Sequence, residues 1–272
     1  MSTHRNPQAE QMADESMVRN LRAQAEAIWP QEQGLLARYG APASIADIGC
    51  GSGEITSRLA ALYPQAQIVG VDILESSAAY ARRVHASLAP RVRFEQGDAF
   101  ELKFASGQFD LVVCRHMSQA IPEPEKAMAE LYRICKPGGW MHLLSEDYGM
   151  LHMPERGGVD PDRLWHEGVI EFTRRTHTDA RIGRRTWTIM NELGLQDLHV
   201  DYVVVDSLRV ARQTFATIIQ AWRDGYTEVI AQNSKLSLAE VSALFDQSVG
   251  AILDPRQYAV WHIPIVSGRK PA

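Results

Sequence analysis

The sequence predicts an α/β protein: a mostly parallel sheet of seven strands with helices on both faces, a helical preface before it, and a helical insertion between strands six and seven. Three observations predict this. From Ser44 onward, short apolar runs alternate with amphipathic stretches, the pattern of successive βαβ units. The glycine-rich turn Asp47-Ile48-Gly49-Cys50-Gly51-Ser52-Gly53 follows the first apolar run and opens a helical stretch. The chain has 272 residues, 45% of them apolar and 22% charged, which suffices for one substantial core.

Taken in order, residues 1–12 are polar and expected to fray. Val18, Leu21, Ala25, Ile28 and Trp29 recur at helical spacing, and Pro30 reads as the first residue of a second helix ending near Gly40. Strands are expected near 44–48, 67–72, 91–95, 109–114 and 139–145, with helices near 53–63, 75–88 and 123–135. Lys136-Pro137-Gly138-Gly139 halts the last of these helices. After Glu146 the rhythm loosens through Met153-Pro154-Glu155-Arg156-Gly157-Gly158, an insertion near 147–180 with a helix near 160–176. A helix near 181–193 stops at Gly194, and Leu198 to Val205 reads as the sixth strand. Residues 208–253 are helical in pattern, and Gln257 to Val266 closes the sheet as a seventh strand that Pro264 marks as an edge. The expected organisation is a tail and helical preface over 1–40, a core over 41–205, a helical lid over 206–256, and the final strand and tail over 257–272.

A net charge of −5 gives no field to recruit a polyanion, so a small-molecule partner is expected and nucleic acid is not. Cys50, Cys114 and Cys135 form an odd set without CxxC spacing, which argues against a disulfide framework and a zinc site and fits a cytoplasmic location. The first thirty residues contain polar and charged positions throughout and no apolar run reaches the ~18 residues of a membrane span, so neither a signal peptide nor a membrane segment is expected. A homodimer is left open.

The glycine turn discriminates among nucleotide ligands. The dinucleotide pattern G-x-G-x-x-G fails because Glu54 occupies its last position, and a carboxylate in the first helical turn would repel a pyrophosphate. A cationic or zwitterionic ligand is easier to accommodate. Asp72 ends the second strand nineteen residues after Gly53, where a carboxylate can accept from both ribose hydroxyls. The two features agree on an adenosine.

This turn, Asp72, Gly97-Asp98 and Lys136-Pro137-Gly138-Gly139 together resemble the class I S-adenosylmethionine-dependent methyltransferases, a Rossmann-like family, over residues 44–146. The helix, sixth strand and antiparallel seventh strand that end such enzymes fit 181–205 and 257–266. Within that family the chain looks distantly like the small-molecule enzymes of ubiquinone and menaquinone biosynthesis. The resemblance implies S-adenosylmethionine as cofactor, with Asp47, Gly49, Gly51 and Gly53 around its methionine end. It implies Asp72 on the ribose, Ile73 against the adenine face, and Asp98 with Ala99 at the adenine edge. Cys50, inside the turn, and Arg115, after strand four, complete the expected cofactor-binding set; Cys50 reads as a packing residue rather than a nucleophile.

The expected reaction moves a methyl group to an O, N or C atom of a small molecule, in specialised metabolism or quinone-like biosynthesis. An acceptor that must lose a proton needs a base near the C-terminal ends of strands four and five, where His116, Glu146, Asp147 and Tyr148 stand. His116 is the first choice; a backbone hydrogen bond in a turn is its structural alternative, as helix capping is for the other three. Arg19, Arg22 and Gln24 read as a solvated face of the preface helix. Arg209, Trp222, Arg223 and Tyr226 suit a planar or anionic substrate, or simply pack the lid. Two other readings stand beside methyl transfer: a cofactor-binding module without turnover and, with less support, a nicotinamide-dependent oxidoreductase.

Overall fold

The computed structural model describes residues 6–272. Parallel strands β1 (Ser44–Ile48), β2 (Gln67–Asp72), β3 (Val92–Gln96), β4 (Phe109–Arg115) and β5 (Cys135–Leu144) lie in the order β3-β2-β1-β4-β5. Strand β8 (Val260–Arg269) runs antiparallel beside β5, and both β6 (Leu151–His152) and β7 (Gln196–Asp206) pair with β8. Ile45, Ala46 and Ile48 of β1 and Leu111 to Val113 of β4 are buried, as expected of central strands covered on both faces.

Helices α1 (Ala9–Ala13) and α2 (Glu15–Leu36) precede the sheet, and α3 (Glu54–Leu62), α4 (Glu75–Val84) and α5 (Pro124–Ile134) connect its parallel strands. A π-helical turn over Leu164–Val169 runs into α6 (Ile170–Arg175), followed by α7 (Gly183–Glu192). Between β7 and β8 stand α8 (Arg212–Gln232) and α9 (Leu238–Leu253), the latter started by a capping box of Ser237 and Glu240.

Several expectations need correction. The described residues form eight strands rather than seven, because β6 continues the line of β5 along β8; two residues carry no periodicity to read. Residues 9–13, expected to fray with the rest of 1–12, are helical, while 1–5 lie outside the described residues. Pro30 does not begin a helix. It lies inside the single 22-residue helix α2, whose buried Ala27 and Ile28 before it and Glu32 and Leu36 after it carry the packing through the missing hydrogen bond. The Lys136 to Gly139 turn belongs to β5, which is irregular against β4 between Phe109 and Leu111.

Pro264 does not mark an edge either, since β8 lies between β5 and β7. Its carbonyl accepts from Ser145 N, so its missing N–H points into the gap between β5 and β6, where no ladder is interrupted. The free edge on this side belongs to β7. Gln31 of α2 covers it at Val204, accepting from the backbone N at 3.1 Å and donating to the carbonyl at 2.9 Å.

Candidate active site

The C-terminal ends of β1, β2 and β4 open into a cradle. Gly49 (φ +79°) and Gly51 (φ +51°) turn the backbone there through the left-handed region. Asp72, at the end of β2, ties the turn down: Gly51 N donates to Oδ2 at 2.8 Å and Leu74 N to Oδ1 at 2.9 Å. Gly49, Gly51, Asp72, Ile73, Asp98, Ala99 and Arg115 all line this one cavity, and so does His116. Asp47 and Cys50 line a small recess beside it, together with Arg115 and His116. Gly53 lines neither. It adopts φ +80° at the start of α3, where a Cβ would lie 2.8 Å from the Phe94 ring and 2.9 Å from that of His85.

Burial governs the acids and thiols here. It pushes the Asp47 carboxyl up to about 6, against a 2.6 Å hydrogen bond from Thr56 and the nearby Arg115. Burial likewise raises Asp72, although backbone N–H groups oppose it. The Cys50 thiol is pushed well above its ordinary value by burial and by Asp47, which removes thiolate chemistry from the recess.

Helix α2 roofs the cradle. A Cβ on Gly51 would stand 2.7 Å from Leu21 Cδ1, so the turn and the helix touch directly. Deeper in, Glu32 Oε1 of α2 accepts from Arg115 Nε at 2.9 Å and lies 2.9 Å from His142 Nε2, and Tyr39 OH meets His142 Nδ1 at 2.7 Å. Burial alone would raise Glu32, but Arg115 and His142 hold it down to about 2. Arg115 is thus paired with Glu32 at the rim of the cradle.

A second chamber adjoins the cradle, and Met12, Leu21, His116 and Ala120 line both. His116 Nδ1 lies 2.6 Å from Glu146 Oε1, while His116 Nε2 and Glu146 Oε2 are buried without a hydrogen-bond partner. The His116 backbone has φ +53°, a conformation unfavourable for a residue with a Cβ. Aromatic rings wall the chamber. Tyr148 stacks on Trp165 at 5.9 Å and meets Trp222 edge-on at 5.3 Å, and Phe172 meets Tyr226 at 6.2 Å.

Of the four residues expected near the reaction centre, three line the chamber: His116, Glu146 and Tyr148. Asp147 faces the other way. It accepts from Arg184 Nε at 2.6 Å and Nη2 at 2.9 Å, and from Gly149 N, so the alternation along the chain turns it toward α7. Trp222 and Tyr226 line the chamber, but Arg209 pairs with Asp206 and Arg223 with Asp246 outside it. Gln24, expected on a solvated face, is buried and lines the chamber, whereas Arg19 and Arg22 form surface ion pairs. Sequence reasoning missed Asn20, Gln119 and Trp165. The four-residue spacing of Asn20 and Gln24 was the available signal for the first.

A family model described as a methyltransferase domain matches residues 45–139. Over 97 residues the chain is 42% identical to trans-aconitate 2-methyltransferase of Deinococcus radiodurans, covering 36% of this chain and 35% of that one. Over 120 residues it is 35% identical to demethylmenaquinone methyltransferase of Thermus thermophilus, covering 44% of this chain and 54% of that one. The matched stretches therefore span about half or less of these curated relatives. Phosphoethanolamine N-methyltransferase 2 of Haemonchus contortus, solved with phosphomonomethylethanolamine and S-adenosylhomocysteine, shares the fold with a TM-score of 0.57 at 21% identity, covering 90% of this chain and 53% of that one. Residues 45–139 thus match a methyltransferase domain, and the glycine turn and the parallel strand order with its antiparallel closing strand support a class I S-adenosylmethionine-dependent methyltransferase.

Proposed function

We propose that the protein methylates a small molecule held in the aromatic chamber, using S-adenosylmethionine held in the cradle. The observation that carries this reading is the position of His116: it lines both cavities, Glu146 holds its Nδ1, and its Nε2 has no partner. The cradle suits the cofactor chemically. Asp72 and Asp98 line it, and the one guanidinium at its rim, Arg115, is paired with Glu32, so the cavity favours a cation over a pyrophosphate.

The cofactor supplies a methyl carbon on a positively charged sulfur, whose bonding electrons stay with the sulfur on transfer. Asp72 is offered for the ribose, Asp98 and Ala99 for the adenine edge, and Gly49 and Gly51 for close backbone approach. Roofing by Leu21 and the aromatic walls exclude water from the reacting atoms. His116 Nε2 takes the proton of the acceptor, and Glu146 fixes the imidazole and stabilises its charged form. Asp147 has no part in this scheme. The three cysteines are free and buried, which agrees with a reducing compartment such as the cytoplasm.

Among the described residues no helix is long and apolar enough to cross a membrane. Calorimetry with S-adenosylhomocysteine, followed by transfer of tritiated methyl groups to fractionated small molecules, tests the proposal. Absence of cofactor binding would end it, and binding without transfer to any fraction would favour a binding module.

A further inference from the structure

The fully buried polar atoms that the chamber leaves unsatisfied are almost all acceptors. Glu146 Oε2, Gln119 Oε1, Asn20 Oδ1 and Gln24 Oε1 are buried without a hydrogen-bond partner, and all four residues line the chamber. Their exposures are 1%, 8%, 3% and 2%, so water does not satisfy them from outside. The orientation of Gln119 is set by the protein: its Nε2 donates to the His116 carbonyl at 2.8 Å, which leaves the oxygen for a ligand. Asn20 Nδ2 is turned toward Met17 Sδ at 3.3 Å, with the same consequence. Among its fully buried atoms the chamber leaves one donor unsatisfied, Trp165 Nε1.

No lysine or arginine lines the chamber among the described residues, and Glu146 is its one carboxylate. Burying an unmet acceptor is costly, so the chamber selects a ligand that arrives with several donors. An ammonium group brings two or three N–H donors and a positive charge, while a carboxylate or phosphate brings none and would meet Glu146 as a like charge. The rings of Tyr148, Trp165 and Trp222 add an aromatic wall.

Building on the methyl-transfer reading, we infer that the chamber takes an organic amine, bound as its ammonium cation, and that nitrogen is the methyl acceptor. The ammonium gives one proton to His116 Nε2, which frees the nitrogen lone pair for bond formation, and Gln119, Asn20 and Glu146 hold the remaining N–H groups. Acids of the same shape are excluded.

The test uses the full chain and the fluorescence of its chamber tryptophans, Trp165 and Trp222. Phenethylamine and its N-methyl derivative are titrated against 3-phenylpropanoate, with and without saturating S-adenosylhomocysteine. The amines are expected to bind at least about tenfold more tightly than the acid. Glu146→Gln should abolish that preference, and Gln119→Leu, a milder change, should weaken amine binding by about fivefold or more. Equal or tighter binding of the acid, no amine binding, or a preference intact in both variants would overturn the inference. Failure of S-adenosylhomocysteine to bind would instead overturn the methyl-transfer reading, and the amine preference measured without it still decides the chamber's ligand class.

Discussion

Arg115 at the end of β4 and Glu32 on α2 form an ion pair in which both side chains are more than nine-tenths buried, at 6% and 1% exposure. Nε donates to Oε1 at 2.9 Å and Nη2 lies 2.8 Å from Oε2. This pair pins the roof helix to the strand that leads into His116. Glu32→Gln leaves a buried guanidinium without its counter-charge and should cost about 3–5 kcal/mol in denaturant unfolding near neutral pH. The carboxyl is held at about 2 in the fold against an ordinary 4.5, so its contribution is complete above pH 4.5 and lost as pH falls toward 2. Unfolding curves across that window should converge for the two proteins; a constant difference would refute the assignment.

His116 and Glu146 act as a unit in the proposed chemistry. His116→Asn suits the left-handed backbone at this position but takes from the buried Glu146 its partner, so the melting temperature should fall while the variant stays folded. Turnover should fall by about 10²–10⁴, while the affinity for S-adenosylhomocysteine changes little. Retention of turnover within a few-fold would remove His116 as the base.

Asp147 offers the contrast. Asp147→Asn weakens the pair with Arg184, which lies outside the chamber, and should reduce stability by about 1–3 kcal/mol. Turnover at a temperature where the variant is folded should stay close to that of the parent. A loss as large as that of His116→Asn would show that the orientation of the loop after β5 differs in the working enzyme.

Asp47 carries a pH signature of the opposite sign to Glu32. Burial raises its carboxyl from 3.8 to about 6, so its ionisation destabilises the fold, and the stability present below pH 3.8 is lost as pH rises through 6. Asp47→Asn can keep the Thr56 hydrogen bond and should stabilise the protein by about 2–3 kcal/mol at pH 8, with the gain vanishing below pH 4. Chemical denaturation at pH 4, 6 and 8 measures this directly.

Gly51 faces two demands at once, a left-handed backbone and the approach of Leu21. Gly51→Ala should weaken S-adenosylhomocysteine binding by about tenfold through strain of about 1–2 kcal/mol and displacement of the roof. Combining it with Leu21→Ala removes the collision but leaves the backbone cost. Calorimetry on the double variant should therefore recover only part of the loss.

The sequence made the parallel core legible because each strand is short, apolar and bounded by turns. The ends of β1, β2 and β4 fell within a residue or so of their expected positions. It also made the glycine turn, Asp72 and His116 legible, since each stands at the C-terminal end of a parallel strand that is readable locally. Pro30, Pro264 and the strand β6 were misread or missed for one reason: each depends on a neighbour distant in sequence, which a local rule cannot include.

The sequence by itself determined the fold class, the glycine turn with Asp72 beside it, and the cluster of candidate groups after β4 and β5. Only the tertiary structure decided which of those groups share a cavity. One residue separates Glu146 from Tyr148, and Asp147 between them points to Arg184 because the backbone alternates. The chamber is assembled from α2, the loop after β4 and helices more than two hundred residues along the chain, as Leu21, Gln119 and Tyr226 illustrate. No local pattern encodes that meeting, because burial of an amphipathic face specifies that a helix packs, and the rest of the fold specifies what it packs against.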